Sequence, residues 1–390
     1  MNEVRIGIIG IGNMGTAHAK NIYGGKISRL KLTALCDSSK TRLAQLRPEF
    51  PDIPLFEDHN ELITSGLCDA VIISTPHYFH PTIAIDAFKA GLHVLSEKPV
   101  GVYTSIVREE IEAAKASGKV FGIMYNQRTT PIFAFARDFI ASGRLGEPKR
   151  LVWNITNWYR TQSYYDSGSW RATYAGEGGG VLLNQCVHNI DLWQWIFGMP
   201  KSIRAFCAYG KYHNIEVEDD VTVYAEYENG ATATFITSTG EAPGTNRLEI
   251  SGDRAKLVLE GGRVRLWELK VPEREFCFNS EKGFGSPEYT YSELDIDPNG
   301  PGHNGILLDF TNAILDGTPL LSPGEEGINA LTIINAIQLS DWTDQTVTLP
   351  IDAERHYELL KERIDRSSVR KVQDEVHDDG GAGSRWKVQW

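Results

Sequence analysis

The sequence has few cysteines, no long apolar run and no block of charge of one sign. Its five cysteines are scattered over 390 residues without a C-x-x-C pair, which argues against a disulfide framework or a cysteine zinc site. No apolar run approaches the roughly 20 residues of a membrane span, and an acid stands where a signal peptide has a basic segment. A net charge of -12 argues against a general nucleic-acid binder. These absences predict a cytoplasmic protein that binds no membrane, nucleic acid or metal ion.

The first third of the chain alternates short β-branched runs with amphipathic stretches, which predicts strands and helices in turn. Because the strands are apolar on both faces, they predict a parallel sheet covered by helices on each side. The expected strands are 4–9, 32–35, 70–74, 93–95 and 120–124, and the expected helices are 14–24, 39–47, 79–90 and 103–117.

The pattern changes after about residue 145, where alternating runs follow one another with a hairpin signal at Glu228-Asn229-Gly230. This change predicts an α/β chain with an N-terminal parallel-sheet domain, residues 1–127. The second domain, residues 128–390, is expected to be built on an antiparallel sheet. The alternating runs are 201–209, 217–228, 231–239 and 247–251, and helical patterns return at 303–316 and 325–341.

A glycine motif follows the first expected strand and opens a helix: Gly10-Ile11-Gly12-Asn13-Met14-Gly15. Asp37 stands at the end of the second strand, which completes the context of a dinucleotide fingerprint. The glycines let the backbone approach the pyrophosphate at the helix N-terminus, and the acid takes the ribose hydroxyls. Asp37 favours NAD over NADP, although a phosphate could be accommodated nearby if the acid rotates, by Ser38, Ser39, Lys40 and Arg42.

Two further segments end at the same edge of the expected sheet. Ser74-Thr75-Pro76-His77 follows the third of these strands, and Ser96-Glu97-Lys98-Pro99 follows the fourth. In a doubly wound sheet the carboxyl ends of the strands border the cofactor crevice, which places an acid and a base near the nicotinamide end. The alternative is that Glu97 and Lys98 form a solvated turn before the proline.

Four segments, in order, resemble the glucose-fructose oxidoreductase, inositol dehydrogenase and rhizopine-catabolism (Gfo/Idh/MocA) family. They are "GIIGIGNMGTAHAKNI", "STPHYFHPTIAIDAFKAGLHVLSEKPVG", "SWRATYAGEGGGVLLNQCVHNIDLWQWIFG" and "NGILLDFTNAILDGTPLLSPGEEGINAL". The resemblance implies that residues 1–127 form a Rossmann domain. It implies that residues 128–390 form an α+β domain with a large, mostly antiparallel open-faced sheet, which makes homodimer or homotetramer contacts. It also implies oxidation or reduction of sugars and cyclic polyols. It also implies that Lys98 is the active-site lysine and that His188 is the acid/base histidine. The expected cofactor-binding residues are Gly10, Gly12, Asn13, Met14, Gly15, Asp37, Ser74, Thr75, Pro76, His77, His80, Glu97, Lys98 and Asn126.

A histidine and an asparagine interrupt the mostly apolar segment 181–197. If this segment is one helix, a single polar stripe contains Asn184, His188, Asp191 and Trp195, and it is expected to line the substrate cleft. The alternative is a core histidine bonded to a carbonyl oxygen. Asn184 occupies the position where many relatives have aspartate, so it can orient a hydroxyl but cannot share a proton.

Alcohol oxidation needs a base near the reacting hydroxyl, and His188 fits this role, while Lys98 would stabilise the developing alkoxide. The catalytic residues are therefore expected to be Lys98, His188 and Asn184. The aromatic segment 153–171 is expected to bind substrate, although Trp153 and Trp158 could instead pack the sheet. The expected substrate-binding residues are Lys98, Trp158, Arg160, Trp170, Arg171, Asn184 and His188.

The sequence thus predicts an NAD(P)-dependent oxidoreductase that acts on a sugar, a sugar derivative or a cyclic polyol. An enzyme that retains NAD and uses transient oxidation to cleave glycosides is an alternative, and so is a non-catalytic sugar sensor, which the presence of Lys98 and His188 disfavours. At the C-terminus, Trp386, Val388 and Trp390 alternate with polar residues, which predicts a short strand docked on its own sheet domain or on a neighbouring subunit. The alternative is a tail held only by crystal contacts.

Overall fold

The computed structural model describes residues 2–367. The strand expected around Trp386 and Trp390 lies outside the described residues. Among these residues no helix is long and apolar enough to cross a membrane.

Six of the described strands form a parallel sheet in the order β3-β2-β1-β4-β5-β6. The strand order reverses between β1 and β4, which creates the crevice in which doubly wound folds bind nucleotides. This confirms the predicted Rossmann architecture. The strands are β1 (Val4–Ile9), β2 (Leu30–Cys36), β3 (Leu55–Phe56), β4 (Ala70–Ile73), β5 (His93–Ser96) and β6 (Phe121–Ile123), and the helices are α1 (Asn13–Tyr23), α2 (Lys40–Leu46), α3 (His59–Thr64), α4 (Phe79–Lys89) and α5 (Thr104–Ser117).

Nine described strands form the second sheet, in the order β14-β13-β12-β11-β7-β10-β9-β8-β15. Only the β7–β10 pair is parallel among them, which confirms the expected, mostly antiparallel sheet. The strands are β7 (Pro148–Ile155), β8 (Ser202–Tyr209), β9 (Glu218–Glu226), β10 (Thr232–Ser238), β11 (Asn246–Gly252), β12 (Ala255–Glu260), β13 (Arg263–Leu269), β14 (Tyr289–Leu294) and β15 (Val347–Thr348). The helices are α6 (Pro131–Ala141), α7 (Gln162–Tyr165), α8 (Val187–Phe197), α9 (Glu273–Asn279), α10 (Gly302–Asp316), α11 (Gly327–Thr343) and α12 (Ala353–Arg366).

Helices α8 and α11 cover one face of the second sheet. The Trp193 indole of α8 stacks on the Phe235 ring of β10, with 5.6 Å between ring centres. On the opposite face, Phe206 is 59% exposed and Tyr224 is 45% exposed. The sheet therefore buries one face in the core and leaves aromatic side chains on the other.

The two halves of the chain meet through a buried 3₁₀ helix, Asn126–Thr129. Arg128 in this helix donates two hydrogen bonds to the Asp191 carboxylate, at 2.8 and 2.7 Å, and one to Glu326 at 2.5 Å. Helix α10 returns to the first half, where Ile306 and Phe310 join the core of the parallel sheet. The domain division at residues 127 and 128 stays a prediction.

The helix expected over 181–197 is shorter in the structure, where α8 begins at Val187. The reason is Glu218, whose carboxylate accepts the backbone N–H groups of Gly180 and Leu182 at 2.8 and 3.2 Å. These bonds hold residues 180–186 in turns. The prediction of a single polar stripe is therefore wrong, because Asn184 precedes the helix.

The two other members of that stripe also lie elsewhere than expected. Asp191 is buried and pairs with Arg128. The Trp195 ring contacts the guanidinium groups of Arg128 and Arg137, with Cζ 5.3 and 4.7 Å from the ring centre. Asp191 and Trp195 thus stabilise the packing of α8 rather than line a cleft.

Candidate active site

The loop between β1 and α1 lies directly against the loop that follows β4. Gly10 has a φ of +88°, and a Cβ at this position would lie 2.6 Å from the Ser74 carbonyl oxygen. A Cβ on Gly15 would lie 2.0 Å from the Gly10 carbonyl oxygen, whereas a Cβ on Gly12 would meet nothing within 4 Å. The first and third glycines therefore permit close packing, and Gly12 borders open space at the α1 N-terminus, where a pyrophosphate would bind.

Asp37 is fixed at the end of β2 by backbone donors. The Ile11 N–H group donates to Asp37 Oδ2 at 2.8 Å, and the Ser39 N–H group donates to Oδ1 at 2.9 Å. Each carboxylate oxygen has a further lone pair with which to accept a hydroxyl hydrogen. The carboxylate is thus held beside the glycine loop in a form suited to a ribose diol.

The cations near Asp37 are already engaged within the protein. Arg42 is buried, and it donates from Nε to the Ile11 carbonyl oxygen and from Nη2 to Thr16 Oγ1, both at 2.7 Å. Lys40 forms an ion pair with Glu57 at 3.2 Å on the surface. These two side chains are candidate phosphate ligands in the sequence. In the structure, the contacts of Arg42 join α2 to the glycine loop.

His80 connects the loops that follow β4 and β5. Its Nε2 lies 2.6 Å from the Thr75 carbonyl oxygen, and its Nδ1 lies 2.7 Å from the Pro99 carbonyl oxygen. His77 Nδ1 lies 3.1 Å from the Glu177 carbonyl oxygen, across the boundary between the two halves. Both histidines are buried, so they hold the rim of the crevice in place.

Glu97 is a buried acid at the end of β5 and accepts a hydrogen bond from His18 Nε2 of α1 at 2.7 Å. Burial would raise the pKa of Glu97, but the hydrogen bond and the charge of His18 outweigh this effect and lower the pKa to about 2. Glu97 also accepts the backbone N–H group of Lys98 at 3.2 Å. The solvated-turn alternative is therefore wrong for Glu97, which anchors the segment that carries Lys98.

Lys98 reaches from the first half of the chain to the glycine-rich segment of the second. Its Nζ donates a hydrogen bond to the Asn184 carbonyl oxygen at 3.0 Å. Burial lowers the pKa of Lys98, the negative charges of Glu97 and Glu177 oppose the shift, and the charge of Arg171 adds to it. The amine thus lies at the junction of the two sheets.

Glu177 is a buried carboxylate in the glycine-rich segment, and its Oε2 accepts the Ala172 N–H group at 2.6 Å. Its Oε1 accepts a hydrogen bond from Asn184 Nδ2 and lies 4.0 Å from Arg171 Nη1. Burial raises the pKa of Glu177, and Arg171 counteracts the shift. A carboxylate therefore lies directly behind the amide of Asn184.

His188 lies in the first turn of α8 and is buried. Burial lowers its pKa well below 6.5, and the positive charge of Lys98 lowers it further. His188 is therefore a neutral imidazole at neutral pH, and its buried Nδ1 has no hydrogen-bond partner among the described residues.

Aromatic rings and two arginines form the wall next to Asn184. The Trp158 indole donates to Asn189 Oδ1 at 3.0 Å, and the Trp170 ring lies 6.1 Å from the His77 ring. Arg171 contacts the Trp170 ring, with Cζ 4.5 Å from its centre. Trp153 is fully buried in β7, as the packing alternative predicts.

Comparison with known proteins assigns the family. Residues 4–125 match the model described as an oxidoreductase family with an NAD-binding Rossmann fold, and residues 133–258 match the GFO/IDH/MocA C-terminal domain. The chain belongs to the Gfo/Idh/MocA family of oxidoreductases. Its N-terminal domain is an NAD-binding Rossmann domain.

Two curated relatives and one solved structure are similar to the chain over most of its length. It is 25% identical over 337 residues to myo-inositol 2-dehydrogenase of Thermotoga maritima, covering 85% of this chain and 94% of the relative. It is 24% identical over 363 residues to the NADP(+)-dependent scyllo-inositol 2-dehydrogenase IolW of Bacillus subtilis, covering 90% and 97%. The WlbA dehydrogenase of Bordetella pertussis, solved with NADH and UDP-GlcNAcA, has the same fold, with a TM-score of 0.76, 24% identity and coverage of 90% and 100%.

Unsatisfied polar atoms provide a test of whether the crevice fits a dinucleotide. Four residues that the motifs indicated have a buried side-chain atom without a hydrogen-bond partner among residues 2–367: Asn13 Oδ1, Thr75 Oγ1, Asn126 Oδ1 and His188 Nδ1. Buried polar groups are normally paired, and a ligand bound in the crevice would supply partners for these four atoms. Together with the Gly12 loop and Asp37, they fit a bound dinucleotide and its substrate.

Sequence reasoning missed three residues of this site: His18, Glu177 and Tyr164. His18 follows the glycine motif by one helical turn, a spacing that could have indicated a side chain facing the crevice. Glu177 is the one acid among the glycines of residues 176–180, which could have marked it. Nothing in the local sequence indicates that Tyr164 accepts a hydrogen bond from Arg171, because this contact depends on how the loop folds.

Proposed function

We propose that this protein oxidises a secondary alcohol of a sugar, a sugar derivative or a cyclic polyol, with NAD as the hydride acceptor. The observation that carries the proposal is the arrangement of Lys98 and His188. The half-buried Lys98, bound to the Asn184 carbonyl oxygen, lies close enough to the buried, neutral His188 to lower the pKa of the imidazole. A base and a cation next to each other are what alcohol oxidation requires of the protein.

The glycine loop and Asp37 would hold NAD, whose nicotinamide would supply the acceptor for the hydride of the alcohol carbon. His188 accepts the hydroxyl proton as the C–H bond breaks, so that a carbonyl forms and the proton stays on the imidazole. Lys98 donates a hydrogen bond to the same oxygen and stabilises the negative charge that develops there. In the reverse direction His188 returns the proton to the oxygen.

Asn184 has a supporting role in this scheme. Its amide N–H group is bound to Glu177, so the amide oxygen can accept a hydrogen bond from a substrate hydroxyl. An amide cannot exchange a proton in this range of pH, and the proton relay therefore ends at His188. Trp158, Trp170, Arg160 and Arg171 form the substrate-binding wall.

NAD is the preferred cofactor in this proposal. Asp37 is fixed by two backbone N–H groups where a ribose diol would bind, and its charge repels a 2′-phosphate. Arg42, the nearest candidate for a phosphate ligand, is engaged with Ile11 and Thr16.

A substrate screen tests the proposed function. Purified protein is incubated with polyols, aldoses and glycosides and with each cofactor, and NADH or NADPH is followed by absorbance while products are separated by chromatography. We expect net NADH formation with a sugar or polyol. Glycoside cleavage without net NADH would instead support redox-assisted cleavage, and binding without any turnover would support a sensor.

The open face of the second sheet supports a further part of the proposal, a homodimer or homotetramer. Phe206 and Tyr224 are exposed there, and contiguous aromatic surface is typical of subunit contacts. Light scattering of the wild type and of Phe206→Glu tests this assembly.

The five thiols are unpaired, which supports a cytoplasmic location.

A further inference from the structure

Two guanidinium groups lie against one tyrosine ring in the substrate-binding wall. The Cζ atoms of Arg171 and Arg160 lie 4.9 and 5.1 Å from the centre of the Tyr164 ring. Arg171 Nη1 donates to the Tyr164 hydroxyl at 3.1 Å, and Gln185 Nε2 donates to the same hydroxyl at 3.2 Å. Because Gln185 is adjacent to Asn184, the shared hydroxyl links Arg171 to the segment that carries Asn184, and Arg160 lies against the same ring.

The hydrogen bonds of both guanidinium groups leave the same edge free. Arg171 uses Nη1 for Tyr164, and Arg160 uses Nη1 for the carbonyl oxygens of Tyr159 and Trp158, at 2.9 and 3.5 Å. Within residues 2–367, neither Nε nor Nη2 of Arg171 or Arg160 has a protein acceptor. The Nε and Nη2 donors form the edge of a guanidinium that binds a carboxylate with two parallel hydrogen bonds.

The positive charge of this wall exceeds the negative charge that the protein supplies. Glu177 Oε1 lies 4.0 Å from Arg171, beyond hydrogen-bond distance, and it is also bound to Asn184. Among the described residues no carboxylate lies within 4.0 Å of the Arg160 guanidinium. The charge of Lys98 is offset by the adjacent Glu97 carboxylate, so the excess positive charge belongs to the two arginines. A neutral sugar bound here would leave these charges uncompensated in a partly buried site, which is unfavourable.

We propose that the substrate is an acidic sugar or polyol whose carboxylate binds the free edges of Arg171 and Arg160, while its reacting hydroxyl lies at Lys98 and His188. This inference rests on the proposed function and specifies its substrate class. The nearby Glu177 carboxylate disfavours a second negative charge, which favours a carboxylate over a phosphate dianion. The aromatic rings of Trp158 and Trp170 restrain the guanidinium groups without consuming their N–H donors.

Matched pairs of compounds test this inference. The value of kcat/KM with NAD is measured for glucuronate against glucose, galacturonate against galactose and gluconate against glucitol, with glucose 6-phosphate as a further arm. We expect the acid of at least one pair to exceed its neutral partner by about 10–10²-fold, the usual effect of a charge-assisted bidentate contact. Preference for every neutral partner, or for the phosphate, would overturn the inference and leave the proposed oxidation intact.

Binding measurements separate failure of the inference from failure of the proposed function. If no compound yields NADH, the proposed oxidation of these sugars fails. Calorimetry of the enzyme with NADH and each compound then tests the inference directly. Tighter binding of the acid than of its neutral partner supports it, and equal or absent binding of both overturns it.

Variants of Arg171 and Arg160 test the role of each guanidinium. In Arg171→Gln and in Arg160→Gln, we expect the ratio of kcat/KM for the acid over the neutral compound to fall about tenfold or more. We expect a smaller fall in Arg171→Lys, because lysine keeps the charge but lacks the bidentate edge. Arg108→Gln, an exposed arginine on α5, is the matched control and should keep the ratio. The melting temperature and NADH binding report folding, and an unchanged ratio in the folded Arg171→Gln protein would contradict the assignment.

Discussion

The Nζ atom of Lys98 donates a hydrogen bond to the backbone carbonyl oxygen of Asn184 at 3.0 Å. The contact joins the end of β5 in the Rossmann sheet to the segment that leads into α8. Because the acceptor is a backbone atom, the position of Lys98 does not depend on the side chain at residue 184. A change of the side chain at residue 184 would therefore alter the chemistry available next to Lys98 without displacing the lysine itself.

Replacement of Lys98 tests its proposed contribution to the transition state. In Lys98→Ala we expect kcat to fall by about 10²–10⁴, because the developing negative charge on the substrate oxygen loses its stabilising cation. NADH binding, followed by fluorescence, should be retained, since the glycine loop and Asp37 remain. Lys115→Ala, at an exposed ion pair on α5, is the control. A near-normal kcat in Lys98→Ala would make the lysine a structural residue.

The cofactor preference depends on Asp37. In Asp37→Ala we expect kcat/KM for NAD to fall by about 10–10², because hydrogen bonds to a charged acceptor are lost, and the preference for NAD over NADP to decline. Steady-state kinetics with both cofactors measure the change, and the exposed Asp52→Ala protein is the control. A wild-type enzyme that favours NADP, or an unchanged ratio in Asp37→Ala, would contradict this role.

The pKa shifts at the site predict the pH dependence of oxidation. The pKa of His188 is lowered from 6.5, so the base stays unprotonated at neutral pH and kcat/KM should decline only below pH 6.5. The pKa of Lys98 is lowered from 10.5, so loss of its charge should reduce kcat/KM at a pH below 10.5. Lys98→Met removes a positive charge near His188 and should move the acid limb to higher pH. An acid limb above pH 6.5 in the wild type would contradict the assignment.

Glu110 on α5 predicts a separate effect on stability. It is fully buried, neither carboxyl oxygen has a partner among residues 2–367, and burial raises its pKa well above 4.5. Because the folded pKa exceeds the unfolded one, its contribution to stability is complete below about pH 4.5 and is lost as pH rises towards the folded pKa, by about 1.4 kcal/mol per pH unit.

We therefore expect Glu110→Gln to raise the melting temperature at pH 8 relative to the wild type and to reduce its decline between pH 5 and pH 8. Thermal unfolding across this pH range measures both effects. Glu109→Gln changes an exposed glutamate on the same helix and should have little effect. If both variants melt like the wild type at pH 8, the carboxyl group of Glu110 has a partner or is ionised in the folded protein.

Periodicity and motif order predicted most of the fold. The parallel sheet, the glycine loop with Asp37, the hairpin at residues 228–230 and the helices α10 and α11 follow from local patterns that the tertiary structure leaves unchanged. The predicted helix over 181–197 is longer than the observed α8, because the apolar pattern continues through residues 181–186. The competing hydrogen bonds come from Glu218, a residue distant in sequence, and no local signal reveals them.

The candidate site could be predicted where strand ends determine position. Gly10, Asp37, Ser74 and Lys98 follow strands of one sheet, so their proximity is a consequence of topology. The partners of these residues could not be predicted in this way. Glu177 accepts a hydrogen bond from Asn184 and lies 4.0 Å from Arg171. These residues belong to an irregular segment, and its path depends on packing between the two halves of the chain.

The rate of NADH formation by His188→Ala under single-turnover conditions tests the central claim most directly. With a substrate identified by the screen, we expect this rate to be about 10²–10⁴ below that of the wild type and to recover in part when imidazole is added, because a free base can then accept the hydroxyl proton. The melting temperature and NADH binding of the variant should match the wild type. A single-turnover rate close to that of the wild type would contradict the role of His188 as the base in alcohol oxidation.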